Sequence, residues 1–271
     1  MDVVALTETH HYPTDDLPHI PGFQWFHVAR PVSNTHIGGR HSGGIGILVS
    51  DTWAPHTTMW RQAADGSRLW LRIGDESDAL YLCVVYAAPK GSCFQNTDLF
   101  QDVCQEVGDA MSLGRVLLAG DFNARTGNAS DVVDCTMLEA VIPELQAIGD
   151  GPPTNLPRRQ NRDAVRAGWW REVLDLCGTA GLCILNGRTL GDLAGEFTCL
   201  SNQSFSTVDY FLSSYDLLSS VEHLQIVTNE FYCSHKGADS DHRPLILRLT
   251  VDLPNRVASI SSGVQQLFKN G

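Results

Sequence analysis

Five side chains that could do chemistry, Glu8, Asp121, Asp209, Asp241 and His242, sit at or beside the ends of apolar runs with the composition of β-strands. In α/β proteins such strand ends converge in space and carry the ligand sites. A carboxylate set of this kind, with Asn123 beside Asp121, suits a hard cation such as Mg²⁺, which takes one or two protein carboxylates and leaves the rest of its shell to water and substrate phosphate. His242 follows Asp241 directly. If Asp209 reaches its ring, the pair makes an oriented imidazole that can act as a general base or stabilise a phosphate in its charged form.

Each position also has a plainer reading. Glu8 alone would be a solvated rim residue, Asp121 with Asn123 after Gly120 a turn held by side-chain hydrogen bonds, and SDHRPL a turn before a strand. Asp209 is harder to place as scaffold, because it lies inside VDYFL, where a carboxylate is costly unless paired.

Other chemistries find little support. The eight cysteines are spread singly, with no C-x-x-C pair, so zinc-thiolate chemistry lacks ligand spacing and the thiols read as mostly buried and reduced. There is no G-x-S-x-G elbow, and GGIGILV lacks the Lys of a phosphate loop. A formal charge of -12 argues against general electrostatic coating of nucleic acid, although not against an enzyme that reaches phosphate through a bound metal. No run approaches the length of a membrane span, so a soluble, intracellular protein is expected, with a monomer as the default.

The elements that must position these residues follow from periodicity. DVVALTETH begins as a buried strand with nothing ahead of it to pair with, and a loop rich in Pro, His and Gly follows. GGIGILVS, RLWLRI and ALYLCVVYA read as successive strands. Leu99–Met111 carries the apolar stripe of a helix, with Asp98 as its cap, and leads into the strand RVLLAGD. The stretch 149–166 holds three prolines and four arginines and reads as a long surface loop. A second helix is expected over 164–180, stopped by Gly181, then the strand CILN and a final series of strands. The chain divides into a domain over 1–252 and a polar tail over 253–271 with weak helical character at 262–268.

Taken in order, the segments ALTETH, VVYAAPK, GDFNAR, STVDYFL and SDHRPL resemble the endonuclease/exonuclease/phosphatase superfamily of DNase I-like proteins. The segment LCILNGRTLGDLAGEFTCLSNQSFSTVDYFL looks most like its non-LTR retrotransposon branch. The resemblance implies a four-layer α/β sandwich of two packed, largely antiparallel sheets with helices outside. It implies Glu8 and Asp241 as metal residues for Mg²⁺ (or Mn²⁺), and His242, Asp209, Asp121, Tyr86 and Asn123 as catalytic residues, with Tyr86 and Asn123 at the phosphate. Asn186, Arg188 and Thr198 match positions of the retrotransposon branch and become candidate substrate contacts. Arg158, Arg159 and Arg162 are candidates for the DNA backbone.

The expected activity is Mg-dependent nicking of DNA, nuclear in a retrotransposon-type protein. A catalytically dead binding module and an inositol-phosphate or phospholipid phosphatase of the same fold are the alternatives. One departure stands out. The family opens with an Asn-bearing strand and a helix, and this sequence has neither before Asp2, so an open edge beside the first strand is expected.

Overall fold

The computed structural model describes residues 1–32, 42–75, 79–132, 153, 155–201, 204–228, 240–253 and 256–264, the last strand by its backbone alone. In chain order the strands are β1 (Val3–Thr7), β2 (Phe23–Val28), β3 (Ile45–Ser50), β4 (Thr57–Gln62), β5 (Arg68–Ile73) and β6 (Ala79–Tyr86). Helix α1 (Leu99–Met111), β7 (Gly114–Asp121), the short β8 (Ala124–Thr126) and β9 (Arg166–Gly168), helix α2 (Trp170–Ala180) and β10 (Leu182–Ile184) follow. The chain continues through β11 (Cys199–Leu200), β12 (Phe205–Ser206), β13 (Asp209–Ser214), β14 (Val221–Ile226), β15 (Leu245–Leu253) and β16 (Arg256–Val264).

Two six-stranded sheets, ordered β14-β15-β16-β1-β3-β2 and β10-β13-β7-β6-β5-β4, pack face to face, as the sequence implied. The period of two along a strand sorts side chains between the layers. On β6, Leu80, Leu82 and Val84 join the core that also holds Val3, Ala5, Ile45, Ile47 and Leu247 from the first sheet. Tyr81, Cys83 and Val85 on the opposite face meet Phe100, Val103 and Val107 of α1 and Val173 and Cys177 of α2. Both faces of β6 are therefore covered, which is why ALYLCVVY is continuously apolar.

The outer face of the first sheet carries Val4, Leu6 and Leu48, packed against Ile20, Phe23 and Trp25. Strand β2 falls in the stretch expected to be loop. It is an edge strand, half-exposed along most of its length, and its aromatic run FQWFHV does not alternate.

Two further expectations are corrected. Asp98 occupies the N-cap position of α1 but makes no side-chain cap hydrogen bond. The second helix starts at Trp170, because Arg166–Gly168 are drawn off to pair with Ala124–Thr126. Gly181 does end it, in the left-handed conformation at φ 64°.

The largest correction concerns the first strand. β1 is antiparallel to β3 on one side and parallel to β16 on the other, with Val3 opposite Ser262 and Ala5 opposite Val264. The expected open edge is thus paired, by a strand from the stretch expected to be a polar tail. An interior strand with unpaired N–H and C=O groups is costly, and the hairpin returning from β15 satisfies them. The Ser-rich run VASISSGV concealed this strand.

Candidate active site

Backbone register assembles the site. In the second sheet, Tyr86 ends β6 opposite Asp121 of β7, and Asp209 opens β13 opposite the same Asp121. Three reactive side chains therefore share one end of three adjacent strands. Gly120 permits this pairing: it sits at φ 139°, and a Cβ there would lie 2.0 Å from the carbonyl oxygen of Val85. Glu8 arrives from the first sheet, one residue past β1, and accepts a hydrogen bond from the Tyr86 hydroxyl across the sandwich. His242 comes from the turn before β15, and its Nδ1 lies 2.9 Å from both carboxylate oxygens of Asp209.

Two of these residues hold unusual backbone. Glu8 and Asn123 adopt positive φ, 54° and 45°, which costs a non-glycine residue energy and persists where the surroundings enforce it. The Asn123 backbone N–H donates to Asp121 Oδ1 at 2.8 Å. Its Nδ2 donates both to Asp121 Oδ2 and to the Ala87 carbonyl, each at 2.9 Å. Both amide hydrogens are thus spent inside the protein. Asn123 fixes the Asp121 carboxylate, where a direct contact to phosphate was expected.

The electrostatics follow from burial. Asp121 is pushed up to about 8, first by loss of solvent and then by the facing Asp209 carboxylate, with His242 pulling the other way. Burial alone would favour a neutral His242, but the Asp209 carboxylate and its hydrogen bond hold the ring in its charged form, well above the ordinary histidine range. Burial and the neighbouring Glu8 push the Tyr86 hydroxyl up as well, so it stays a proton donor.

Among the described residues, Asp121, Asp209 and His242 place possible metal-ligand atoms within 4.8 Å of one another, and so do Cys199, Asp241 and His242. Glu8 belongs to neither group. The exposed Asp241 side chain thus lies on the Cys199 side of His242, while Glu8 meets Tyr86. The two expected metal residues are not brought into one such cluster.

Of the expected substrate contacts, three are spent internally. Asn186, 1% exposed, donates to the Asp209 carbonyl and accepts from the Phe211 N–H. The fully buried Thr198 hydroxyl accepts the N–H groups of Val208 and Asp209. Both therefore brace Asp209. Arg188 is buried against Asp131.

The expected surface loop is exposed over most of its described residues, but Arg159, Asn161 and Asp163 turn inward and find partners there. Arg159 donates to the carbonyls of Gly127 and Ala129, Asn161 pairs with Asn128, and Asp163 takes a two-pronged bond from Arg125. Arg162 is exposed and paired with Glu196, and Arg158 is exposed.

Sequence reasoning missed Arg30. It is 7% exposed and lies 5.5 Å over the Tyr86 ring and 4.5 Å over that of Phe94, placing positive charge beside Tyr86. It follows a strand that was itself unread, so no signal marked it.

Known proteins share this arrangement of elements. An AP endonuclease, LMAP, from Leishmania major superposes with a TM-score of 0.62 at 14% identity, over 91% of this chain and 77% of that one. The 3' phosphatase NExo from Neisseria, bound to a product DNA hairpin, gives 0.55 at 15% identity, over 92% and 89%. The endonuclease domain of TRAS1, a telomere-specific non-LTR retrotransposon, gives 0.54 at 12% identity, over 92% and 86%. No curated protein matches in sequence. Residues 1–242, which span every part of the cluster from Glu8 to His242, match the Endonuclease/Exonuclease/phosphatase family, and the chain belongs to that family.

Proposed function

We propose that the protein is a divalent-cation-dependent phosphodiesterase that nicks the DNA backbone, of the type found in non-LTR retrotransposons. The observation that carries this reading is the charged His242 held by Asp209 while Asp209 faces a proton-affine Asp121. The three structural relatives act on or bind nucleic acid by their descriptions, which supports DNA as the substrate. The likeness of the Asn-Gly-Arg segment after β10, and of Thr198 just before β11, to the retrotransposon branch supports the retrotransposon type.

The donors fit a hard cation. The carboxylates of Glu8 and Asp121 offer oxygen donors only, and the raised proton affinity of Asp121, to which Glu8 contributes, marks a surplus of negative charge that a divalent ion would offset. Glu8 would hold Mg²⁺ or Mn²⁺, its carboxylate oriented by the Tyr86 hydroxyl. When bound, such an ion polarises the phosphoryl oxygens and offsets developing charge.

The remaining steps belong to the chain. His242, with Nδ1 committed to Asp209, presents Nε2–H to a phosphoryl oxygen. Asp121, its orientation fixed by Asn123, accepts the proton of the attacking water as that oxygen bonds to phosphorus, while the P–O bond to the departing sugar oxygen breaks and that oxygen takes a proton from solvent. This division follows from the electrostatics: a histidine held in its charged form is a poor base, whereas a carboxylate of raised proton affinity is a better one than usual.

The test is conversion of supercoiled plasmid to nicked circles in Mg²⁺. Nicking should vanish in excess chelator, return with added metal, and fall at least 100-fold in Asp209→Ala, the usual range for an oriented acid–base group. Nicking that persists in chelator, or full turnover by Asp209→Ala, would overturn the assignment.

A further inference from the structure

Asp131 caps the free edge of the second sheet, where its Oδ2 accepts the N–H of Ile184 on β10 at 2.7 Å. Two guanidinium groups approach its other oxygen. Arg188 Nη2 donates to Oδ1, and Arg159 Nε lies 4.0 Å from it. The two arginine side chains are only 3% and 4% exposed, and one carboxylate offsets one of their two charges. Arg159 spends Nη2 on the carbonyls of Gly127 and Ala129. Nε and Nη1 of both arginines have no hydrogen-bond partner, although Arg188 also faces the thiol of Cys183, a weak acceptor.

Buried charged donors without acceptors are expensive, and native structures rarely keep several together without a ligand or ion to satisfy them. Both arginines line a cavity of about 370 Å³, which Arg158 also lines. Among the residues lining that cavity, three arginines face a single aspartate.

We propose that this cavity binds a tetrahedral oxyanion of the phosphate class, free or as the end of a phosphomonoester. The planar guanidinium offers paired N–H groups at the spacing of phosphate oxygens, which an ammonium does not. A second cavity of about 460 Å³ shares Leu156, Pro157 and Arg188 with the first and is lined by Leu185, Leu190 and Tyr215, giving room for an organic part. No residue lining either cavity belongs to the catalytic cluster.

Calorimetric titration of the full chain with inorganic phosphate and with adenosine monophosphate, in excess chelator at matched ionic strength, tests this. Saturable binding is expected for the wild type and should be kept in His242→Gln. It should weaken about tenfold or more in Arg188→Gln, the scale of one lost charge-assisted hydrogen bond. Arg158→Gln should also weaken binding, and because Arg158 is exposed and takes no part in the Asp131 pairing, that variant carries the test if Arg188→Gln does not fold. Tighter binding of the nucleotide identifies a phosphomonoester, and equal binding identifies free phosphate. Absence of saturable binding in the wild type, or its loss in His242→Gln but not in Arg188→Gln or Arg158→Gln, overturns the proposal.

Discussion

Asp209 stands directly across from Asp121 in the antiparallel pairing of β13 with β7, two carboxylates opposed on neighbouring strands at 4% exposure each. Like charges in that position oppose folding unless a proton or cation intervenes. With Asp121 raised to about 8 in the folded chain, against about 4 for an unfolded carboxylate, the folded state holds more protons between those limits. Stability in chelator should therefore fall as pH rises from about 4 to about 8. His242, whose pKa is also raised, adds to the decline only above about 6.5, where the unfolded chain has released a proton that the folded chain keeps, so the span from about 4 to about 6.5 reports Asp121. Denaturant melts across this range should show the decline in the wild type and a flatter curve in Asp121→Asn. A wild-type curve without the decline would contradict the facing-carboxylate account.

Tyr86→Phe removes the hydroxyl that orients Glu8 while keeping the ring under Arg30. Loss of a group that orients a metal ligand commonly costs 10- to 100-fold in metal affinity or activity. Titrating Mg²⁺ against nicking rate should shift the half-saturating concentration upward by about that factor with little change in Tm. An unchanged metal requirement would place Glu8 outside the metal site.

Asp163 ties three segments together: it accepts two bonds from Arg125 at 2.7 Å and the N–H groups of Thr207 and Val165. Burial raises its proton affinity, but these four bonds together outweigh burial and hold the carboxyl below its usual range. A depressed folded value stabilises above the unfolded one, so this contribution should disappear as pH falls below about 4. At neutral pH, Asp163→Ala should cost about 3 kcal/mol, the low end for breaking a buried pair, since Arg125 keeps a quarter of its side chain exposed. Urea melts of the two proteins at pH 7 and pH 3 check both statements, the difference between them shrinking at the lower pH.

The strands that carry Glu8, Asp121 and Asp209 were legible because each is an apolar run buried on both faces and bounded at one end by a charged residue. β2, β4 and β16 were not, for the opposite reason. β2 and β4 are edge strands at the ends of the two sheets, and β16 is rich in serine, so none shows a clean alternation. For the site, residue type and order sufficed to nominate the cluster. They could not say which polar groups the protein consumes. Asn123, Asn186 and Thr198 look free to meet a substrate in a sequence, yet their hydrogen bonds close on Asp121, Asp209 and neighbouring backbone. Long-range pairing decides that, and local pattern does not carry it.

The same distinction sorts the arginines. Arg159 is internal and Arg162 is paired with Glu196, which leaves Arg166 and Arg171 as exposed positive groups near the site, their guanidiniums 5.5 Å and 5.0 Å from the Trp170 ring. The Trp169 N–H donates to the Asn123 carbonyl, and β9 pairs with β8 just beyond Asn123, so this surface adjoins the catalytic cluster. A chain of net charge -12 needs local positive charge to bring a polyanion to an acidic centre, and arginine stacked on tryptophan is a common way to track a nucleic-acid backbone. Replacing Arg166 and Arg171 together by Ala should weaken DNA binding and reduce the slope of log K against log salt by about two units, close to one per lost phosphate contact. Arg159→Ala should instead lower Tm, since it strips hydrogen bonds from Gly127 and Ala129, and should leave the slope alone. Fluorescence anisotropy with labelled duplex between roughly 50 and 200 mM salt separates the two effects. A salt slope unchanged in the double variant, or reduced equally by Arg159→Ala, would move the DNA path away from Trp170.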